Sequence, residues 1–310
     1  MSAKTSAFSS VYGPVPSWRF GRSLGIDPIG SSSTCSFNCV YCQLGEIQNH
    51  TASRQLFIPT EQIVEDLQAF APWDVDVVTL SGSGEPTLAL NLSEILATVK
   101  ETTGRTTVVL TNSTMLGNPE VRTALSLADI VAAKLDAVSS EQLQRVNRPV
   151  AGIDLATILA GLEQFSQEYQ GHLAIQTMLL SPWSEENRVE YIRLMQQLIP
   201  DEIQLNTPTR PRSVSRQLET RGARGLDRPY PVQLLKQVSR EFLQSFATEI
   251  KEETKILVRC VPLMTELPAV RVHWSSCDSD AGNEGGQIEK AIFLLRSLSF
   301  SINVRALLSA

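Results

Sequence analysis

Residues 75–113 read VDVVTLSGSGEPTLALNLSEILATVKETTGRTTVVLTNS. Two β-branched runs, 75–82 and 106–113, flank a stretch of helical period at 91–103, which Asn91 opens as an N-cap with an acid in the following turn. The same alternation extends in both directions. Further strands are expected at 129–137, 172–180 and 202–209. Further helices are expected at 60–71, 118–128, 154–169 and 184–199, with Thr60, Asp154 and Ser184 as their N-caps. Strands alternating with helices predict βαβ units, right-handed crossovers and a parallel sheet. The run SLGIDPIG (23–30) supplies the first strand, irregular or at an edge because of Pro28. Six strands are too few for a closed eight-stranded barrel. The expected fold class is therefore α/β, an open partial (β/α)6 barrel with its site at the C-terminal ends of the strands.

Upstream of this unit lies STCSFNCVYCQLGE (33–46), in which Cys35, Cys39 and Cys42 are spaced C-x3-C-x2-C. Thiolates select zinc or iron–sulfur clusters, and three of them on a loop after a strand can wrap one compact centre. A four-iron cluster held by three cysteines leaves one iron without a protein ligand, open to a small molecule. The alternative is a zinc site completed by His50 or a more distant residue. The turn SGSGEPTL (81–88) follows the strand at 75–82. Its glycines let backbone approach a ligand without Cβ obstruction, and its carbonyls with a nearby carboxylate can receive an ammonium group.

The cysteine spacing, with Tyr41 before the third cysteine, resembles the signature of the radical S-adenosylmethionine (SAM) enzymes. That resemblance implies a [4Fe–4S] cluster on Cys35, Cys39 and Cys42. It also implies SAM chelated to the open iron and split to a 5′-deoxyadenosyl radical, with an external one-electron donor of flavodoxin or ferredoxin type. Gly82, Ser83, Gly84, Glu85 and Pro86 are similar to the GGEP segment that binds the SAM amino group, with Ser83 in place of its second glycine. The longer run 11–45, together with LNTPTRP (205–211), resembles the branch related to the wyosine-base synthases of tRNA modification. The second cluster of those enzymes needs further cysteines, and only Cys260 and Cys277 remain.

Polar groups at strand ends extend the candidate cofactor site to Lys134 and Asp136, which share one face by period-two alternation, and to Asn112, Gln176 and Asn206. Each has a structural alternative, a satisfied ion pair for Lys134 and Asp136 and ordinary hydrogen bonding for the rest. Cys277 is either a hydrogen-atom relay or a plain small thiol.

The chain divides at 1–211, the partial barrel with its lead-in, and 212–310, a C-terminal α+β extension expected to be an appendage covering the substrate side. Within or near that extension, 209–228 holds six arginines (210, 212, 216, 221, 224, 228) against two acids, a helix is expected at 232–250, a strand at 254–262 and a loop at 275–287. The arginine run either holds phosphates or is a solvated loop. A net charge of −6 argues against a dedicated tRNA binder. With 42% hydrophobic and 19% charged residues over 310 positions, the composition is that of a water-soluble globular protein. No stretch reads as a membrane span or secretory signal, and five cysteines make a poor disulfide framework, so a cytoplasmic protein is expected, and the radical SAM resemblance implies an oxidoreductase. Its substrate is not readable. The competing class is a non-catalytic zinc or iron–sulfur protein without SAM affinity.

Overall fold

The computed structural model describes residues 8–215, 220–221 and 230–262. The strands are β1 (Val11–Ser17), β2 (Gly21–Ile26), β3 (Thr34–Cys35), β4 (Asn49–His50), β5 (Val77–Leu80), β6 (Thr106–Thr111), β7 (Ile130–Lys134), β8 (His172–Met178), β9 (Glu202–Asn206), β10 (Arg212–Ser213), β11 (Val232–Gln233) and β12 (Leu257–Cys260). The helices are α1 (Thr60–Gln68), α2 (Leu92–Thr103), α3 (Pro119–Leu125), α4 (Ser140–Val146), α5 (Leu155–Glu168), α6 (Glu185–Leu198) and α7 (Arg240–Thr254). One sheet of eight strands runs β1-β2-β5-β6-β7-β8-β9-β12. Apart from the antiparallel β1, its strands are parallel neighbours.

All six strands expected from the sequence are present and adjacent. The strand β1 was not anticipated, because Pro14 and Pro16 argue against a strand. As the edge of the sheet it needs no full ladder of donors, so the prolines are tolerated there. The second departure is β12, which joins β9 in parallel register. Within the expected extension, α7 and β12 thus add a helix and a parallel strand to this sheet. Leu243, Phe246 and Ile250 give α7 a buried stripe at helical spacing. Phe246 packs 5.6 Å from the Tyr191 ring on α6 and 6.0 Å from Trp183, an aromatic cluster that holds α7 beside the preceding helix.

Register separates two faces of the sheet. Leu80, Val109, Val131 and Leu173, with Ala133, Ile175 and Ile203, are buried in the core shared with the helices. The opposite face is apolar at Val108, Leu110, Ala132 and Ala174 but carries a polar row toward the strands' C-terminal ends. Lys134, Gln176, Gln204 and Arg259 lie in register across β7, β8, β9 and β12, and Ser23 bonds Thr79 at 2.7 Å across β2 and β5. The sheet stays open at its edges, and one side chain reaches from its last strand to the turn after its first. Arg259 on the last strand donates to the carbonyls of Trp18 (2.8 Å) and Arg19 (3.3 Å), in the turn between β1 and β2, and pairs with Glu202 at 3.3 Å.

Helix starts follow the expected chemistry in part. Asp154 and Ser184 accept from the amides of Thr157 and Asn187, three residues on. Asn91 stands at the N-cap of α2 but donates instead to the Ile58 carbonyl and the Thr60 hydroxyl, both at 3.0 Å, tying α1 to α2. Thr60 is already inside α1, whose cap position is Pro59.

Candidate functional site

The cysteine loop leaves the C-terminal end of β2 and is gripped from two sides. On one side the Thr34 amide donates to the Ser83 carbonyl and the Glu85 amide donates to the Thr34 carbonyl, both at 3.1 Å. On the other, the amides of Asn38 and Val40 donate to the carbonyls of Asn147 and Val146 at the end of α4, each at 2.9 Å. The loop closes on itself through the Cys42 amide and the Cys39 carbonyl at 3.0 Å.

The glycines of the 81–88 turn do permit a close backbone approach, but the body that approaches is this chain. A Cβ on Gly84 would lie 1.7 Å from the Thr34 carbonyl oxygen. One on Gly82, where φ is +127°, would lie 2.5 Å from Asp27 Cγ. The turn is therefore a clamp on the cysteine loop, whatever else it contacts. Asp27, fully buried at the end of β2, accepts from the Ile29, Gly30 and Ser83 amides and from Arg221 Nη1 at 2.9 Å.

Glu85, expected to face a ligand ammonium, points into the protein. Its Oε1 accepts from the Thr87 amide (3.1 Å), the Thr87 hydroxyl (2.7 Å) and the Thr111 hydroxyl (2.7 Å), and its Oε2 from the Asn112 amide (2.6 Å). Burial raises its pKa, and those bonds act in the opposite sense. Each donor stranded by Glu85→Ala costs about 1–3 kcal/mol. The substitution should therefore lower the urea midpoint of the whole domain, and a variant with unchanged stability but weaker SAM binding would show that the carboxylate serves the ligand alone.

The expected polar residues converge unequally. Asn112 Nδ2 donates to Ser36 Oγ at 2.8 Å and to Cys35 Sγ at 3.4 Å, and its Oδ1 accepts from Thr114. Tyr41 donates its hydroxyl to Asp136 and accepts from Lys134 Nζ at 2.8 Å. Asp136 Oδ1 takes the Met178 amide at 2.8 Å, and Lys134 Nζ stands 3.9 Å from Oδ2. Burial alone would lower the Lys134 pKa, but the Asp136 carboxylate, joined by the cysteine sulfurs once ionised, outweighs it and raises the pKa. Gln176 and Asn206 lie on the neighbouring strands but direct their side-chain bonds elsewhere. Gln176 donates to Gln204 across the inner face, and Asn206 accepts from the Thr207 amide at the end of β9.

Two residues of the site were not expected from the sequence. Asp27 had a faint signal, a lone acid in the apolar run LGIDPIG. Asn147 had none, because it follows α4, a helix of seven residues that the sequence reading passed over. Asn147 Nδ2 donates to Asp136 Oδ2 at 2.8 Å and to Cys39 Sγ at 3.5 Å.

The donor set fits an iron–sulfur centre. Three thiols share one loop, and amide N–H groups already point at two sulfurs, since Cys35 Sγ also accepts from the Phe37 amide at 3.4 Å. As bare thiols they resist ionisation. Burial pushes Cys39 up to about 11 and Cys35 well above its ordinary value, with neighbouring negative charges adding to both. A cationic centre reverses that balance. Among the described residues no three His, Cys, Asp or Glu side chains converge on a single ion. A four-iron cluster puts its cysteines on separate irons and does not ask for such convergence. His50 pairs with Cys35 across β3 and β4, and its Nε2 lies 3.2 Å from the Ser36 carbonyl.

Of the described arginines of the run, Arg221 and Arg210 are engaged within the chain, whereas Arg212 has its Nε buried without a hydrogen-bond partner. Arg221 is buried against Asp27 and lies over the rings of Phe8 and Tyr12, 4.9 Å from each, and Arg210 donates to Gln43 at 3.0 Å. Arg216, Arg224, Arg228, Cys277 and the loop at 275–287 lie outside the described residues. Cys260 donates to the Leu243 carbonyl at 3.7 Å between β12 and α7. No helix among the described residues is long and apolar enough to cross a membrane.

A curled parallel half-barrel with three cysteines on the loop after its first parallel strand defines a class, and the sequence model of the Radical SAM superfamily matches residues 29–195. The chain belongs to the Radical SAM superfamily. It is 54% identical over 261 residues to a UPF0026 protein of Synechocystis sp., covering 83% of this chain and 98% of that one. Among solved structures it is similar to Streptococcus suis SuiB bound to its precursor peptide SuiA (TM-score 0.56, 14% identity, 77% of this chain and 48% of that one). It is also similar to anSMEcpe with bound AdoMet (TM-score 0.52, 14% identity, 76% and 64%). The chain thus spans about half of SuiB and just under two thirds of anSMEcpe. The similarity to these structures is one of fold. The relative at 54% identity is a UPF0026 protein, which leaves the wyosine branch without support from that match.

Proposed function

We propose that this protein is a radical SAM enzyme in which Cys35, Cys39 and Cys42 hold a [4Fe–4S] cluster, and SAM binds beside it over the C-terminal ends of β5 to β7. One observation carries the reading. The three-cysteine loop is clamped between the 81–88 turn and the end of α4, with side-chain amides on two of its sulfurs. When bound, the cluster and SAM supply a one-electron cleavage that yields a carbon radical able to take a hydrogen atom from an unreactive position.

The chain's own residues provide the setting. Glu85 and Asp27 fix the turn against the loop, and Asp136 and Lys134 fix Tyr41 next to Cys42. The polar row Lys134, Gln176, Gln204 and Arg259 lines the inner face on which a substrate would rest. The substrate's class stays open. A wyosine-type tRNA reaction gains no support from Arg221 and Arg210, which are already engaged by Asp27 and Gln43. The electron donor is taken to be external, of flavodoxin or ferredoxin type.

The full chain, reconstituted anaerobically with iron and sulfide and given SAM and a reductant, should form 5′-deoxyadenosine. Cys39→Ala should bring the yield to background. A reconstituted Cys39→Ala protein that still forms it would end the assignment.

A further inference from the structure

Asn147 is 1% exposed, and its side chain is divided unequally. The amide nitrogen donates to Cys39 Sγ at 3.5 Å and to Asp136 Oδ2 at 2.8 Å, while Oδ1 is buried without a hydrogen-bond partner. A buried amide with an unmet acceptor costs about 1–3 kcal/mol, which a leucine of similar size would avoid. The unmet oxygen gives no reason for an amide here; the donor does, through its bonds to Cys39 Sγ and to the buried Asp136 carboxylate. Asp136 orients it, and Asp136 is itself fixed by the Met178 amide and the Tyr41 hydroxyl. On Cys35 the same kind of bond comes from Asn112, whose oxygen is satisfied by Thr114, so that amide also serves the loop itself.

We infer that Asn147, positioned by Asp136, sets the reduction potential of the centre held by Cys39 through its Nδ2–H···Sγ bond. The inference rests on the cluster reading above. Hydrogen bonds to ligand sulfur stabilise the extra negative charge of the reduced cluster, so they make it easier to reduce. Asp136 then acts at one remove. It aims the amide nitrogen at sulfur and prevents the amide from turning its oxygen there, which would repel the reduced state.

The test is a potentiometric titration of the reconstituted full chain, followed by electron paramagnetic resonance without SAM, for wild type and Asn147→Leu. The expected result is a leucine variant that loads iron and has a more negative midpoint potential, with a lower unfolding temperature because Asp136 loses a donor. A fully loaded variant with the wild-type midpoint would overturn the inference and leave the cluster reading intact. A wild type that takes up no cubane cluster would remove both. Should Asn147→Leu fail to load, the wild-type protein with 15N in its asparagine side chains decides. Two inequivalent amide-nitrogen couplings to the reduced cluster are expected, from Asn112 and Asn147, and one or none would overturn the inference.

Discussion

Gly84→Ala is expected to abolish cluster assembly and to destabilise the domain by roughly 3–5 kcal/mol, from two lost backbone hydrogen bonds and the overpacking that causes their loss. The new methyl group would sit 1.7 Å from the Thr34 carbonyl oxygen and 2.6 Å from its carbon. Both atoms are backbone, so no rotamer change relieves the contact. The turn and β3 must separate, which breaks the Thr34–Ser83 and Glu85–Thr34 hydrogen bonds and carries Cys35 away with Thr34. Glu85 moves too, and with it the acceptor for Thr87, Thr111 and Asn112. Iron content after reconstitution and the urea midpoint report both effects. A Gly84→Ala protein that loads iron fully at wild-type stability would show that the turn does not clamp the loop.

Asp27→Ala is expected to cost about 3–5 kcal/mol, the range for removing one partner of a buried ion pair. The side chains of Asp27 and Arg221 are 0% and 8% exposed, and the ions stand 2.9 Å apart. Truncation removes the buried carboxylate that pairs with the Arg221 guanidinium, which also touches the Ser9 carbonyl and the rings of Phe8 and Tyr12. It also strands the amides of Ile29, Gly30 and Ser83. Asp27→Asn keeps the shape but turns a donor toward either the guanidinium or an amide, so it should recover only part of the loss. Chemical denaturation of the three proteins checks the order wild type, Asn, Ala. An alanine variant as stable as wild type would mean that Arg221 does not depend on Asp27.

The parallel sheet was legible because burial on both faces leaves short β-branched runs, and helical period between them fixes the connections. What sequence could not supply was partnership. The prolines of β1 hid a strand whose edge position excuses them. The run 254–262 reads as a strand, but nothing in it says that β9 is its neighbour. The site divides in the same way. The cysteine spacing is local and survives intact, whereas Asp27 meets Ser83 across 56 residues and Asn147 meets Cys39 across 108, beyond any local pattern. Glu85 accepts from four donors of this chain that the sequence does not place near it. Composition shows a carboxylate near glycines but not that Thr87, Thr111 and Asn112 already occupy it.

The most direct test of the central claim is electron paramagnetic resonance of the anaerobically reconstituted and reduced full chain, recorded with and without SAM. Three cysteines holding four irons predict a cubane signal whose g values change on adding SAM, because SAM takes the iron that no cysteine holds. A cubane signal indifferent to SAM, or a protein that takes up one tight zinc ion and no cubane, would contradict it.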